Sequence, residues 1–335
     1  MAGVTHAPIK LFCCDLNFAG TGAAEFYPSA PHDWAFVDPR EYLEWHREFG
    51  NNVAFCLAYA FGGYAFYPTK LGPVAPGPGR DLLPSLYELA GEAGMPFWSY
   101  FCAGTDLIMS ALRHHWVVPG TKFLAPESPW TDLLCDRIEE FLSLYPVDWI
   151  LFDRFVYGGL EANGTLVKPA PFVEKPFEEI VGRPMPACAA DITPEEHLAY
   201  KREVLARQFN RIRAAVKETS PNTKLIFNVP YREARGALWV DHPMVRESDG
   251  LFSECTDEHV MEWLLSIRGP QQRVMTTIRG WASPEMIGDP RTWRRWYERG
   301  CDFMGYAWAV PPDFRPHAKF EEEVALVRQA FHEMP

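Results

Sequence analysis

Two stretches of the chain run largely apolar and then stop on a carboxylate: VDWILFDR, which reaches Asp153 and Arg154, and DGLFSE, which reaches Glu254. A strand that ends this way presents an ionisable side chain at its carboxyl end. Two such groups facing one pocket suit cleavage of a glycosidic bond, where one carboxylate attacks or stabilises the anomeric centre and the other delivers a proton. Asp153 is the expected nucleophile because its strand is apolar up to an abrupt ionisable end. Glu254 is the expected acid/base, with Glu233, Glu161, Glu174 and Asp257 as competitors, since an acid catalyst can sit on a loop. The structural alternatives are specific: Asp153 as a cap or ion-pair partner, and Glu254 as a loop glutamate paired with Arg279 or Arg232.

Other polar and aromatic groups fall at or just after strand ends and are expected to bind substrate. Asp15, Asn17, Tyr59, Tyr100, Arg154, Asn228 and Arg279 offer hydrogen bonds, while Trp281 and Trp308 could stack on the apolar face of a sugar ring. Tyr64 and Tyr67 could wall the other side. His114 and His115 are adjacent, which rarely aims two ligands at one ion, so no metal site is expected. No phosphate-cradling glycine pattern and no G-x-S-x-G elbow follows a strand, and the proposed chemistry requires no cofactor.

These groups need a scaffold that brings strand ends together. Short apolar runs at residues 9–15, 53–59, 96–101, 147–153, 224–228, 250–254, 273–277 and 303–308 alternate with segments of helical period. Helix signals include Asp38 and Pro39 before EYLEWHREF with Gly50 after it, Ser128 before Pro129, and Thr193 with Glu196 in capping-box spacing. Leu133, Leu134, Ile138, Phe141 and Leu142 form an apolar stripe, whereas residues 230–248 give the weakest helical pattern. Eight strands with intervening helices predict an α/β fold, a single-domain (β/α)8 TIM barrel over residues 1–335. Long loops follow strands 2 and 4, and the irregular insertion at 155–192 is expected to act as a lid over the catalytic face.

Composition narrows the partners. The 335 residues carry 32 Lys and Arg against 44 Asp and Glu, a net charge of −12 that disfavours nucleic acid and anionic membrane surfaces. A hydrophobic fraction of 47% supplies a full core, yet no apolar run is long enough to span a bilayer. Without an export-like leader, and with scattered cysteines such as Cys13, Cys14, Cys56 and Cys255 in apolar runs, a cytoplasmic protein with buried free thiols is expected. The expected partner is a small carbohydrate or glycoside, with homo-oligomerisation left open.

Three stretches, GGYAFYPTKLGPVAPGPGRDLLPSLYELAGEAGMPFWSYF, HHWVVPG and SPWTDLLCDRIEEFLSLYPVDWILFDRF, together resemble the α-L-fucosidase-like glycoside hydrolases and related barrels. The resemblance covers roughly residues 50 to 160. It implies that the V-D-x-I-x-F-D stretch ends in the nucleophile of a retaining hydrolase, a role that falls on Asp153, and it adds His114 of the histidine-tryptophan loop to the substrate-binding set. The activity the resemblance implies is a fucosidase- or galactosidase-like O-glycosyl hydrolase, although where fucosidases carry His-His-Asp-Gly-Phe after the second strand this chain reads Ala60, Phe61, Gly62, Gly63 and Tyr64. The resemblance fixes no acid/base, and Glu254 rests on the barrel argument. Two other readings compete: a metal-dependent sugar isomerase or epimerase, and a catalytically inactive carbohydrate-binding barrel.

Overall fold

The computed structural model describes residues 7–14, 37–75, 81–118, 121–157, 161–162, 165–166, 172–230, 237–254, 257–279, 293–307, 309–310, 315–316 and 321–335. Eight strands lie where the apolar runs put them: β1 (Lys10–Cys14), β2 (Ala54–Tyr59), β3 (Phe97–Cys102), β4 (Trp149–Asp153), β5 (Lys224–Asn228), β6 (Gly250–Ser253), β7 (Arg273–Arg279) and β8 (Cys301–Ala307). They pair in parallel in the order β1-β8-β7-β6-β5-β4-β3-β2, which makes the fold a nearly closed (β/α)8 barrel. β2, β3 and β4 are buried throughout because alternate residues fill the barrel interior or meet the helices, so both faces are apolar.

Two asparagine amides span the seam between β1 and β2. Phe12 N–H donates to Asn51 Oδ1 at 3.1 Å, and Asn51 Nδ2 returns a bond to the Phe12 carbonyl at 3.3 Å. Lys10 N–H donates to Asn52 Oδ1 at 2.8 Å. A primary amide carries the same donor and acceptor as a peptide group, so these side chains satisfy β1 where a strand partner would. The amino ends of other strands are fastened by carboxylates. Asp148 accepts from Phe97 N–H at 2.8 Å, Asp249 from Leu225 N–H at 2.9 Å, and the fully buried Asp302 from Ile9 N–H at 2.8 Å. Asp153 lies at the opposite, carboxyl end of its strand, where barrels build active sites.

The helices are α1 (Pro39–Phe49), α2 (Leu82–Glu92), α3 (Leu107–Leu112), α4 (Trp130–Leu144), α5 (Glu174–Val181), α6 (Pro194–Thr219), α7 (Pro243–Glu247), α8 (Glu258–Ile267), α9 (Trp293–Glu298) and α10 (Glu321–Glu333). The signals of α1 and α6 work as expected, whereas α4 starts one residue later than Ser128 and Pro129 implied: Pro129 holds the cap position, and Ser128 Oγ accepts from Trp130 N–H at 3.3 Å. Asp38 accepts from Arg40 N–H at 2.7 Å, Gly50 ends α1 at φ 106°, and Thr193 and Glu196 form a reciprocal capping box on α6. None of the described helices is long and apolar enough to cross a membrane.

The insertion after β4 is less irregular than its sequence implied. It contains α5, whose Phe177 ring packs 5.6 Å from Tyr200 of α6, and Arg183 beyond it pairs with Glu196 at 2.7 Å. One buried aromatic and a left-handed Gly182 suffice to define this short helix, a signal too brief to stand out among prolines and glycines. Among the described residues of the 230–248 region, helix is confined to α7, which starts at Pro243; residues 231–236 lie outside them.

Candidate active site

Asp153 ends β4 and is 9% exposed. Register sets its surroundings: Cys102 of β3 lies directly beside it, and Phe152 pairs with Phe227, which brings Asn228 alongside on β5. Tyr100 Oη donates to Asp153 Oδ2 at 2.8 Å, and Asn228 Nδ2 donates to Oδ1 at 2.8 Å. Oδ1 also accepts from the Arg154 backbone N–H at 2.7 Å. Arg154 itself adopts φ 55°, a left-handed conformation that costs a non-glycine residue about 1–3 kcal/mol. The turn is held from outside: Ala103 N–H donates to the Asp153 carbonyl at 2.7 Å, and a Cβ on Gly104 would sit 2.2 Å from the Arg154 carbonyl oxygen. Only glycine lets the loop after β3 approach so closely.

The groups around Asp153 keep the protonation states that suit hydrogen-bond donation. Burial, reinforced by the negative charge of Asp153, pushes the Tyr100 phenol well above its ordinary range, so it remains a donor. Burial and the same charge raise the Cys102 thiol to about 12, and its sulfur lies 3.0 Å from Thr105 Oγ1. Burial alone would weaken the Arg154 cation, but Asp153 and, more weakly, Glu254 drive its pKa above the guanidinium norm. Arg154 Nε lies 3.9 Å from Asp153 Oδ2. Glu254 is half-buried just past β6, and its carbonyl accepts from Thr277 Oγ1 at 2.8 Å.

Sequence reasoning missed the role of the loop after β2. Phe61 lies under two cations, with Arg154 Cζ 5.3 Å and Lys122 Nζ 5.0 Å from its ring centre. An aromatic two positions past a strand end was the available signal. Tyr59 and Tyr67, expected to line the pocket, face the helical layer instead. The β2–β3 register shifts between Leu57 and Tyr59, so Tyr59 pairs with Phe101 and turns outward. A one-residue bulge reverses the face of every residue beyond it, and no local sequence signal marks it. Tyr59 Oη then donates to Thr69 at 2.8 Å beneath Arg137 of α4, and Tyr67 Oη donates to Glu140 at 3.2 Å.

Of the remaining expected residues, Tyr64 is half-buried against the core and His114 is exposed in a single 3₁₀ turn, with its ring 5.8 Å from His115. Asp15, Asn17, Trp281 and Trp308 lie outside the described residues, as do the competitor Glu233 and Cys255. Arg279 ends β7 beside Gly305 of β8. Glu174 opens α5, Asp257 caps α8 by accepting from His259 N–H at 2.8 Å, and Glu161 sits in a two-residue strand.

A second acid emerges only in three dimensions. Glu127, between β3 and α4, accepts a hydrogen bond from Tyr200 of α6 and interacts with Tyr157, four residues past Asp153. Its Oε2 is buried without a partner among the described residues. Burial pushes this carboxyl above its ordinary 4.5. A group whose folded-state pKa is raised contributes stability that is complete below its unfolded value and lost as pH climbs through the folded one. Urea unfolding should therefore show wild type losing stability relative to Glu127→Gln above pH 4.5. Parallel pH profiles for the two proteins would mean that Glu127 ionises freely in the fold.

A comparison with protein-family models returns no match, and no curated protein matches the sequence. Solved structures do. The α-L-fucosidase isoenzyme 2 of Paenibacillus thiaminolyticus superimposes with a TM-score of 0.67 at 18% identity, covering 98% of this chain and 49% of that enzyme. The α-fucosidase of Thermotoga maritima gives 0.48 at 14% identity over 88% of this chain and 56% of its own length. AlfC of Lactobacillus casei, in complex with α-L-fucose product, gives 0.45 at 14% over 92% and 82%. The chain spans about half the length of the Paenibacillus enzyme. The fucosidase-like resemblance read from residues 50 to 160 thus extends, at the level of fold, over almost the whole barrel.

Proposed function

We propose that the chain is a glycoside hydrolase that cleaves its substrate with retention, through a glycosyl-enzyme formed on Asp153. The observation that carries this reading is the bonding of Asp153: a nearly buried carboxylate at a strand's carboxyl end, with both oxygens held by neutral donors and a nearby guanidinium. Those donors fix the carboxylate and disperse its charge without consuming it, which suits a nucleophile better than a metal ligand in the competing isomerase reading. Oδ1 already takes two strong bonds, so Oδ2, with Tyr100 and the more distant Arg154, is the oxygen that attacks. In the first step Oδ2 bonds to the anomeric carbon as the glycosidic C–O bond breaks and a proton passes from Glu254 to the departing oxygen. In the second, Glu254 takes a proton from water, whose oxygen displaces Asp153. The small-carbohydrate partner, the roles of Arg154, Arg279, Tyr64 and His114, and closure by the 155–192 segment belong to the same reading.

Glu254 has its own test. For Glu254→Gln, kcat/KM on alkyl glycosides, whose leaving groups need a proton, should fall by about 10²–10⁴-fold. The 2,4-dinitrophenyl glycoside of the same sugar, whose leaving group departs unprotonated, should lose less than about tenfold. Equal losses on both would remove Glu254 from the acid role.

A further inference from the structure

Asn228 is 8% exposed and carries one amide with two unequal ends. Nδ2 donates to Asp153 Oδ1 at 2.8 Å, while Oδ1 of the asparagine is buried and meets no donor among the described residues. The orientation is forced, because turning the amide over would set its carbonyl oxygen against a carboxylate oxygen and forfeit the bond. A buried acceptor left empty beside a catalytic carboxylate is costly, and a ligand that brings a donor to it recovers that cost.

Resting on the glycosidase reading above, we propose that Asn228 Oδ1 receives the hydroxyl on the ring carbon next to the anomeric centre, and that this contact makes the protein selective for 2-hydroxy over 2-deoxy sugars. The assignment follows from connectivity. Asp153 must approach the anomeric carbon, and that carbon has two ring neighbours. One is the ring oxygen, which carries no hydrogen and cannot satisfy an acceptor. The other is C2, whose substituent lies beside the attacking carboxylate and therefore beside the amide bonded to it. A hydrogen bond there strengthens as positive charge develops at the anomeric carbon, so its effect falls on the transition state. Asn228 also steadies Asp153, and the test has to separate the two roles.

The experiment compares kcat/KM for 4-nitrophenyl glycosides and their 2-deoxy counterparts, from a panel containing L-fucose, D-galactose, D-glucose and L-rhamnose, in wild type, Asn228→Ala and Asn228→Asp. The measured quantity is the ratio of the 2-hydroxy to the 2-deoxy rate, divided by the same ratio in wild type. This cancels both the intrinsic reactivity of deoxy sugars and any shared damage to Asp153. Asn228→Ala should collapse the ratio by about 10²-fold. Asn228→Asp, which keeps an acceptor, should largely preserve the ratio although both rates fall beside Asp153. If Asn228→Ala lowers both rates by one factor, Asn228 is a positioning residue only and the proposal is overturned. If Asp153→Asn cleaves these glycosides as fast as wild type, Asp153 is not the nucleophile, and the inference falls with that assignment. If Asn228→Ala does not fold, a ratio in Asn228→Asp matching the bare reactivity difference of the two glycosides overturns the proposal equally.

Discussion

Asp153→Asn is expected to lower hydrolysis of any glycoside the protein cleaves by about 10⁴-fold while leaving sugar affinity within about tenfold of wild type. Asparagine matches aspartate in size, so β4 and its neighbours should keep their packing. The amide supplies no electron pair capable of displacing a glycosidic oxygen, and it can accept at only one end. Either the Tyr100 hydroxyl, or the Asn228 amide and Arg154 N–H, must then face an NH₂ group instead of an acceptor. Measuring kcat/KM alongside the affinity for the free sugar separates loss of the nucleophile from loss of the site. Equal hydrolysis by both proteins would refute the assignment, and sugar binding without turnover in either would favour the carbohydrate-binding alternative.

The second large effect is on stability. Arg137 of α4 is 1% exposed and its Nη1 lies 2.8 Å from Asp106 Oδ2, itself 3% exposed. The guanidinium stacks 4.3 Å from the centre of Tyr59 and 5.6 Å from that of Trp130, while Nε donates to the Leu71 carbonyl at 3.3 Å. Asp106 also caps α3 through Met109 N–H at 2.7 Å. Removing one partner of a buried pair strands the other charge, which typically costs about 3–5 kcal/mol. Arg137→Met should lose that much by urea unfolding, and Arg137→Met with Asp106→Asn should lose less than the sum of the single changes. A loss below about 1 kcal/mol would mean that the Asp106 charge is solvated once Arg137 is gone.

This pair also marks where sequence reading ran out. The stripe of Leu133, Leu134, Ile138, Phe141 and Leu142 predicted the inner face of α4, and all five are buried or half-buried there. Arg137 shares that burial, yet a charged residue beside an apolar stripe gives no sign of a partner 31 positions earlier. The strands were legible because a strand buried on both faces is largely apolar, and Tyr100, Asp153 and Asn228 were legible as polar groups near the carboxyl ends of such strands. Tyr59 obeyed the same rule and still misled, since the shift past Leu57 reversed its face. Glu127 gave no signal, because its two tyrosine partners come from other segments of the chain.

The most direct measurement stops wild-type protein in acid during turnover of the aryl glycoside it cleaves fastest and maps the digest by mass spectrometry. One glycosyl residue esterified to Asp153, on the peptide spanning β4, is the result expected. An adduct on any other carboxylate, or a product released with inverted anomeric configuration and no adduct at all, would contradict the account.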